Sequence, residues 1–202
     1  MSIRVLLAED QAMVRGALAA LLSLEEDIEI VAEASRGDEV ISAALDTLPD
    51  VALLDIEMPG GDGLGAAAGL RAKLPSCRVI ILTTFGRAGY LRRAMESGAV
   101  GFMLKDAPAS ELATATRRVM NGERVVDPSL AMAALSEGES PLTDREREVL
   151  SASANGATIE DVAAKLYLSE GTVRNYLSAA IKKLGVRNRV EAARLAERKG
   201  WL

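Results

Sequence analysis

Three carboxylates, a pair of hydroxyls and an amine stand at the ends of short apolar runs. Glu9 and Asp10 follow Ile3–Ala8, Asp55 follows Val51–Leu54, Thr83 and Thr84 end the run from Val79, and Lys105 follows Gly101–Leu104. Clustered carboxylates repel one another and rise in pKa unless a cation offsets them. A hard dication with oxygen ligands meets that need. Mg²⁺ (or Mn²⁺) fits, because it takes one or two protein carboxylates and keeps several waters. Beside such an ion, Asp55 could attack phosphorus, with Lys105 and Thr83 holding the remaining phosphoryl oxygens. Taken singly, each group has a plainer reading. Glu9 and Asp10 could cap a helix N-terminus, where anions are favoured, and Lys105 could be a solvated surface lysine. Joint placement at four strand ends is what argues for chemistry.

The elements that must position these groups alternate. Strand-like runs at Ile3–Ala8, Ile28–Ala34, Val51–Leu54, Val79–Thr83 and Gly101–Leu104 are followed by helical patterns at about Gln11–Leu24, Gly37–Thr47, Leu64–Lys73, Arg87–Ser97 and Ala109–Asn121. Five βα units with short connections imply a parallel sheet covered by helices on both faces. In such a sheet the site lies at the carboxyl ends of the strands. Met58-Pro59-Gly60-Gly61-Asp62-Gly63, rich in turn formers, would let backbone approach that site or would serve as an ordinary loop.

Composition narrows the rest. The 202 residues contain no histidine, which excludes histidine triads, histidine general bases and most zinc sites. One cysteine, Cys77, excludes an internal disulfide or a CxxC motif. Aromatics at 3% argue against a ring-stacking single-strand binder. No secretory signal or membrane-length apolar run is visible, so a cytoplasmic setting is expected.

Charge divides the chain. Residues 1–135 carry 13 basic and 19 acidic side chains; residues 171–202 carry 8 and 2, a local +6 within a net charge of −5. The seam is expected near Ser136–Pro141, a stretch without hydrophobic residues. Beyond it the pattern is all helical, at about Asp144–Asn155, Ile159–Leu166, Glu170–Leu184 and Arg189–Arg198. Thr143 with Glu146 makes a capping box, Gly156 stops the first of these helices, and Thr158 and Ser169 suit N-caps of the next two. On a helical projection of Glu170–Leu184, the outward arc holds Gly171, Arg174, Asn175, Ser178 and Lys182. Such a narrow polar face suits a major groove, where Arg pairs with guanine and Asn with adenine. Lys183, Arg187 and Arg189 suit phosphate contacts. With the preceding short helix this reads as a helix-turn-helix. A solvated helix in a protein-interaction bundle would show the same periodicity.

AED at 8–10, LLDIEMPGGDGL at 53–64, ILTTF at 81–85 and GFMLKD at 101–106 resemble the receiver domain of two-component response regulators. LTDREREVL at 142–150 and the segment at 154–196 resemble the DNA-binding domain of the NarL/FixJ (LuxR-type) members, and AEDQ, GTVRNY and KGW resemble a DesR-like subgroup. The resemblance implies a flavodoxin-like, doubly wound five-stranded parallel sheet of order 2-1-3-4-5 over residues 1–125, a linker over 126–140, and a four-helix helix-turn-helix domain over 141–202. It implies Asp55 as phosphoacceptor, and a metal held by Glu9, Asp10, Asp55 and the Glu57 backbone carbonyl. Thr83 and Lys105 would be the switch hydroxyl and lysine, and Phe102 the switch aromatic. Arg174, Asn175 and Ser178 would read bases, with Lys182 nearby and Thr172 also in the DNA-binding set. Asp106 departs from the proline that often follows the lysine. Tyr176 and Ser178 stand where histidine and lysine are common. The implied partners are a separate sensor histidine kinase, promoter DNA and a second copy of the chain. The apolar side chains Met13, Leu18, Leu21, Leu112 and Val119 on the first and fifth helices, or the fourth-helix face, are the candidate dimer surfaces. The expected role is regulatory rather than turnover catalysis. A phosphatase-like hydrolase would want a second aspartate two residues after Asp55, where Glu57 stands, and a receiver that dimerises without phosphorylation is a further alternative.

Overall fold

The structure is a computed structural model, and it describes residues 2–84, 88–128, 130–132, 140–154 and 156–202, without the side chains of residues 88, 109 and 198. The expected seam at residues 136–139, the helix start at 87 and the helix end at 155 lie outside the described residues. The chain divides into two compact units, one of residues 1–86 and 91–131, the other of residues 87–90 and 132–202.

The first unit is built on strands β1 (Ile3–Ala8), β2 (Ile28–Ala34), β3 (Val51–Asp55), β4 (Arg78–Thr83), β5 (Gly101–Leu104) and β6 (Val125–Val126). Helices α1 (Ala12–Leu22), α2 (Val40–Thr47), α3 (Gly63–Lys73), α4 (Ala88–Ser97) and α5 (Ala109–Met120) alternate with them, and a short 3₁₀ turn at Gly37–Glu39 leads into α2. All strand pairs are parallel, in the order β2-β1-β3-β4-β5-β6. The expected order therefore holds and gains a sixth strand. Two residues are too short to show a two-residue period, so β6 left no pattern in the sequence. It pairs Gly101 with Val125 and Phe102 with Val126.

Every residue of β3 is buried, as a central strand covered on both faces requires. Side chains alternate between faces. Val5, Leu7, Val51, Leu53, Ile80 and Leu82 form one core with Leu22 of α1 and with Leu112, Ala115 and Val119 of α5. Leu6, Leu54, Ile81 and Phe102 are buried on the other face. Burying one Leu or Ile side chain contributes about 1.5–3 kcal/mol, so this double-sided core holds the strand ends rigidly at one edge. Leu112 and Val119 are 5% and 0% exposed; they belong to the core and are removed from the candidate dimer surface. Met13 and Leu21, at 86% and 43% exposed, remain on it.

The second unit contains α6 (Asp144–Ser153), α7 (Ile159–Leu166), α8 (Glu170–Leu184) and α9 (Arg189–Arg198). Thr143 accepts from the Glu146 N–H and the Glu146 side chain returns to the Thr143 N–H, completing the expected capping box; Thr158 and Asp161 repeat it on α7. Ser169 caps α8 and Asn188 caps α9. Their core joins Val149, Leu150, Val162, Val173, Leu177 and Ala180.

Candidate functional site

The parallel register brings the strand ends level. Ala8 of β1 lies beside Leu54 of β3, Asp55 beside Leu82 of β4, and Thr83 beside Leu104 of β5. The Lys105 N–H then donates to the Thr83 carbonyl at 2.8 Å, so the lysine leaves the sheet next to the hydroxyl. Lys105 Nζ lies 2.6 Å from Glu9 Oε2 and 2.9 Å from Asp55 Oδ2, and all three side chains are nearly enclosed. One carboxylate oxygen each from Glu9, Asp10 and Asp55 lies within 4.8 Å of the others. Asp10 is the exposed member. Thr83 is 3% exposed. Four expected site residues thus converge with Thr83 adjacent. Glu57 is exposed in the following loop and Phe102 is fully buried in the sheet. The Lys105–Asp106 peptide bond is trans.

Burial pushes the Glu9 and Asp55 carboxyls above their ordinary values, against the pull of Lys105. Burial acts on the Lys105 amine in the opposite sense, but its bonds to Glu9 and Asp55 prevail and raise it, so the ammonium is retained. With all groups ionised, three carboxylates against one ammonium leave an excess of two negative charges. That donor set matches a hard divalent cation.

The loop after β3 folds tightly under Asp55. The Gly63 N–H donates to the Ile56 carbonyl at 3.0 Å, and the Gly37 N–H to the Pro59 carbonyl at 3.0 Å. Asp62 caps α3 by accepting from the Gly65 N–H at 2.6 Å. Sequence reading had missed the backing of Glu9. Arg15 donates to the Glu9 carbonyl at 2.6 Å and the Gln11 N–H to Glu9 Oε1 at 3.2 Å. An arginine one turn inside α1 was the only signal.

On α8 the expected polar arc is exposed at Gly171, Arg174, Asn175, Ser178 and Lys182, while Val173, Leu177 and Ala180 are buried. Three members of the wider basic set are engaged within the domain. Arg174 pairs with Glu170 at 2.8 Å, Arg187 with Glu191 at 2.7 Å, and Lys183 with the buried Glu146 at 2.7 Å. The Thr172 hydroxyl sits 2.8 Å from that of Ser169. Arg189 is half-buried at the start of α9. The Lys183–Glu146 pair joins residues 37 apart, and no local pattern announces it.

Residues 5–117 match the family described as the response regulator receiver domain, and residues 140–196 match the bacterial regulatory proteins of the luxR family. This chain is a LuxR-type response regulator. The regulator is 48% identical over 200 residues to the uncharacterized transcriptional regulatory protein YvfU of Bacillus subtilis, covering 99% of this chain and 100% of that one. It is 47% identical over 199 residues to the transcriptional regulatory protein DesR of the same organism, covering 98% of each. Among solved structures it resembles the response regulator ChrA of a heme-sensing two-component system, at 37% identity and a TM-score of 0.58, over 100% of this chain and 99% of that one. The regulator therefore joins a receiver domain to a LuxR-type DNA-binding domain and acts in transcription. No described helix of the regulator is long and apolar enough to cross a membrane.

Proposed function

We propose that Asp55 is the acceptor of a phosphoryl group from a sensor histidine kinase, and that its phosphorylation drives dimerisation and promoter binding. The observation that carries this is the single lysine, Lys105, held against both Glu9 and Asp55 at 2.6 and 2.9 Å at the sheet edge. Glu9, Asp10, Asp55 and the Glu57 carbonyl would hold Mg²⁺ (or Mn²⁺), which when bound neutralises carboxylate and phosphoryl charge. An Asp55 carboxylate oxygen attacks phosphorus, the P–N bond to the kinase histidine breaks, and the electron pair leaves with that nitrogen. Lys105 exchanges its carboxylate contact for a phosphoryl oxygen, and the Thr83 hydroxyl donates to another. Phe102, paired on one side with Ile81 and on the other with Val126, carries the change along β5.

An apolar groove of about 320 Å³, lined on α1 by Met13, Val14, Leu18 and Leu21 and floored by the core residue Leu112, supports the α1 side of the candidate surface for the second copy. Arg174, Asn175 and Ser178 read bases; Thr172, Lys182, Lys183, Arg187 and Arg189 meet phosphates. The domains are taken as residues 1–125 and 141–202 joined by 126–140. The role is that of a cytoplasmic switch rather than a turnover enzyme.

Incubation with acetyl phosphate tests this by intact mass, dimer fraction and duplex binding. Wild type with Mg²⁺ is expected to gain one phosphoryl mass and to dimerise, while wild type without the metal and Asp55→Asn with it do neither. Equal behaviour of wild type and Asp55→Asn would overturn the reading. A dimer fraction that ignores phosphorylation would leave Asp55 as acceptor but remove its role as trigger.

A further inference from the structure

Helix α7 closes with two specific backbone bonds. The Leu168 N–H donates to the Ala163 carbonyl at 2.9 Å, and the Tyr167 N–H to the Ala164 carbonyl at 3.4 Å. This pair is the Schellman motif, which needs left-handed backbone at the first residue past the helix. Tyr167 supplies it, at φ 56° and ψ 43°. Helices α8 and α9 close with the same pair of bonds, but there the left-handed residue is Gly185, φ 65°, and Gly200, φ 63°. Glycine meets no penalty in this region, whereas a Cβ crowds the following carbonyl. Tyr167 therefore carries a steric cost that its two counterparts avoid.

Packing does not offset that cost. Tyr167 is 96% exposed, the largest exposure among the exposed large hydrophobic side chains described. A large ring in water on strained backbone is doubly disfavoured, and packing among the described residues gives no reason for it.

Its position supplies one. Tyr167 stands two residues before Ser169, whose hydroxyl accepts the Thr172 N–H at 3.1 Å and caps α8. The N-terminal end of a recognition helix is the end that enters the major groove. A residue just outside that end reaches the groove rim, where the sugar–phosphate backbone runs. Tyrosine is suited to it, with a flat ring for deoxyribose and a phenol that donates to a phosphate oxygen. The left-handed turn is what directs the side chain away from its own domain.

We propose that Tyr167 is a positioning residue for DNA binding, its hydroxyl donating to a backbone phosphate beside the groove that α8 enters. The proposal rests on α8 being the groove-entering helix. The contact is independent of base sequence and carries no charge. It therefore adds affinity on any duplex without adding to the number of counterions released.

The test uses the full chain, treated with acetyl phosphate and Mg²⁺, and a short mixed-sequence DNA duplex titrated over a range of salt. Tyr167→Gly is expected to bind about tenfold more weakly at fixed salt, with the slope of log affinity against log salt unchanged. The same variant is expected to melt a few degrees higher, because the left-handed strain is relieved. Tyr167→Phe is expected to show most of that tenfold loss with no change in melting. Arg174→Ala serves as the reference for α8. If Arg174→Ala weakens binding while both Tyr167 variants bind as wild type, the proposal falls and the reading of α8 stands; promoter activity lost in those variants would then mean that the ring meets a protein. If Arg174→Ala is also silent, α8 is not the DNA helix and both fall. A lower melting temperature for Tyr167→Gly would make the ring structural and would overturn the proposal as well.

Discussion

At the scale of single residues, buried charge is handled in two opposite ways. Glu9 and Asp55 are pushed up by burial and share one lysine, an arrangement that favours a second cation. Glu146 ends below its ordinary value: burial pushes it up, but Lys183 and the Thr143 backbone and hydroxyl outweigh that. The linkage signs differ accordingly. A carboxyl whose folded pKa is depressed stabilises the fold above its unfolded value and loses that contribution as pH falls through the folded value. Glu146→Gln keeps a side chain compatible with the capping box and removes only the charge. At neutral pH it should cost the helical domain about 1 kcal/mol, a figure kept small because Lys183 is partly exposed. The wild-type and variant melting curves, followed from neutral into acid, should converge below the ordinary glutamate range. A constant gap would mean that the ion pair contributes nothing. The Lys183–Glu146 bond also shows why a basic residue near a DNA-binding face is a poor guide by itself. Its spacing predicted a phosphate contact, and the fold uses it at least partly to hold α6 against α8.

At the scale of elements, the strand ends are useful only because the loops after them are tight. Gly63 begins α3 so close to β3 that a Cβ there would stand 2.0 Å from the Asp55 carbonyl oxygen. Backbone cannot yield as a flexible side chain can. Gly63→Ala should therefore lower receiver stability by about 2 kcal/mol and slow phosphoryl uptake by displacing Asp55, measured by thermal melting and by the rate of phosphorylation from acetyl phosphate. Retained uptake in a destabilised variant would confine Gly63 to packing. The elements were largely legible in the sequence. The apolar runs of β1, β3 and β4 carried two-sided burial, and Thr143, Thr158 and Ser169 announced their helices because capping is a local interaction. Strand β6 was not legible, since Val125–Val126 is a strand only by virtue of the Gly101–Phe102 edge beside it. Nor could the sequence sort α5: Leu112 and Val119 fit either a core or a surface stripe, and the sheet decides by covering them.

At the scale of the whole molecule, a net charge of −5 conceals an acidic receiver and a +6 tail over residues 171–202. If that tail meets DNA as proposed, affinity is expected to depend strongly on salt. Lys182→Ala, which removes an exposed cation from the α8 face, should weaken binding on all duplexes alike and reduce the salt slope by about one. A slope equal to wild type would place Lys182 outside the interface. The lack of histidine among the 202 residues fits the proposed function, in which the phosphoryl-donor histidine belongs to a separate sensor kinase. Much was settled by sequence alone: two domains, the βα alternation, the helix caps, and the residue types at Glu9, Asp10, Asp55, Thr83 and Lys105. These follow from periodicity and short-range hydrogen bonding, which neighbours along the chain determine. Tertiary structure decided what depends on distant partners. It set the Lys105 ammonium between two carboxylates, moved Lys183 onto Glu146, and closed the sheet edge with β6. Contacts between residues tens of positions apart leave no local pattern in a sequence.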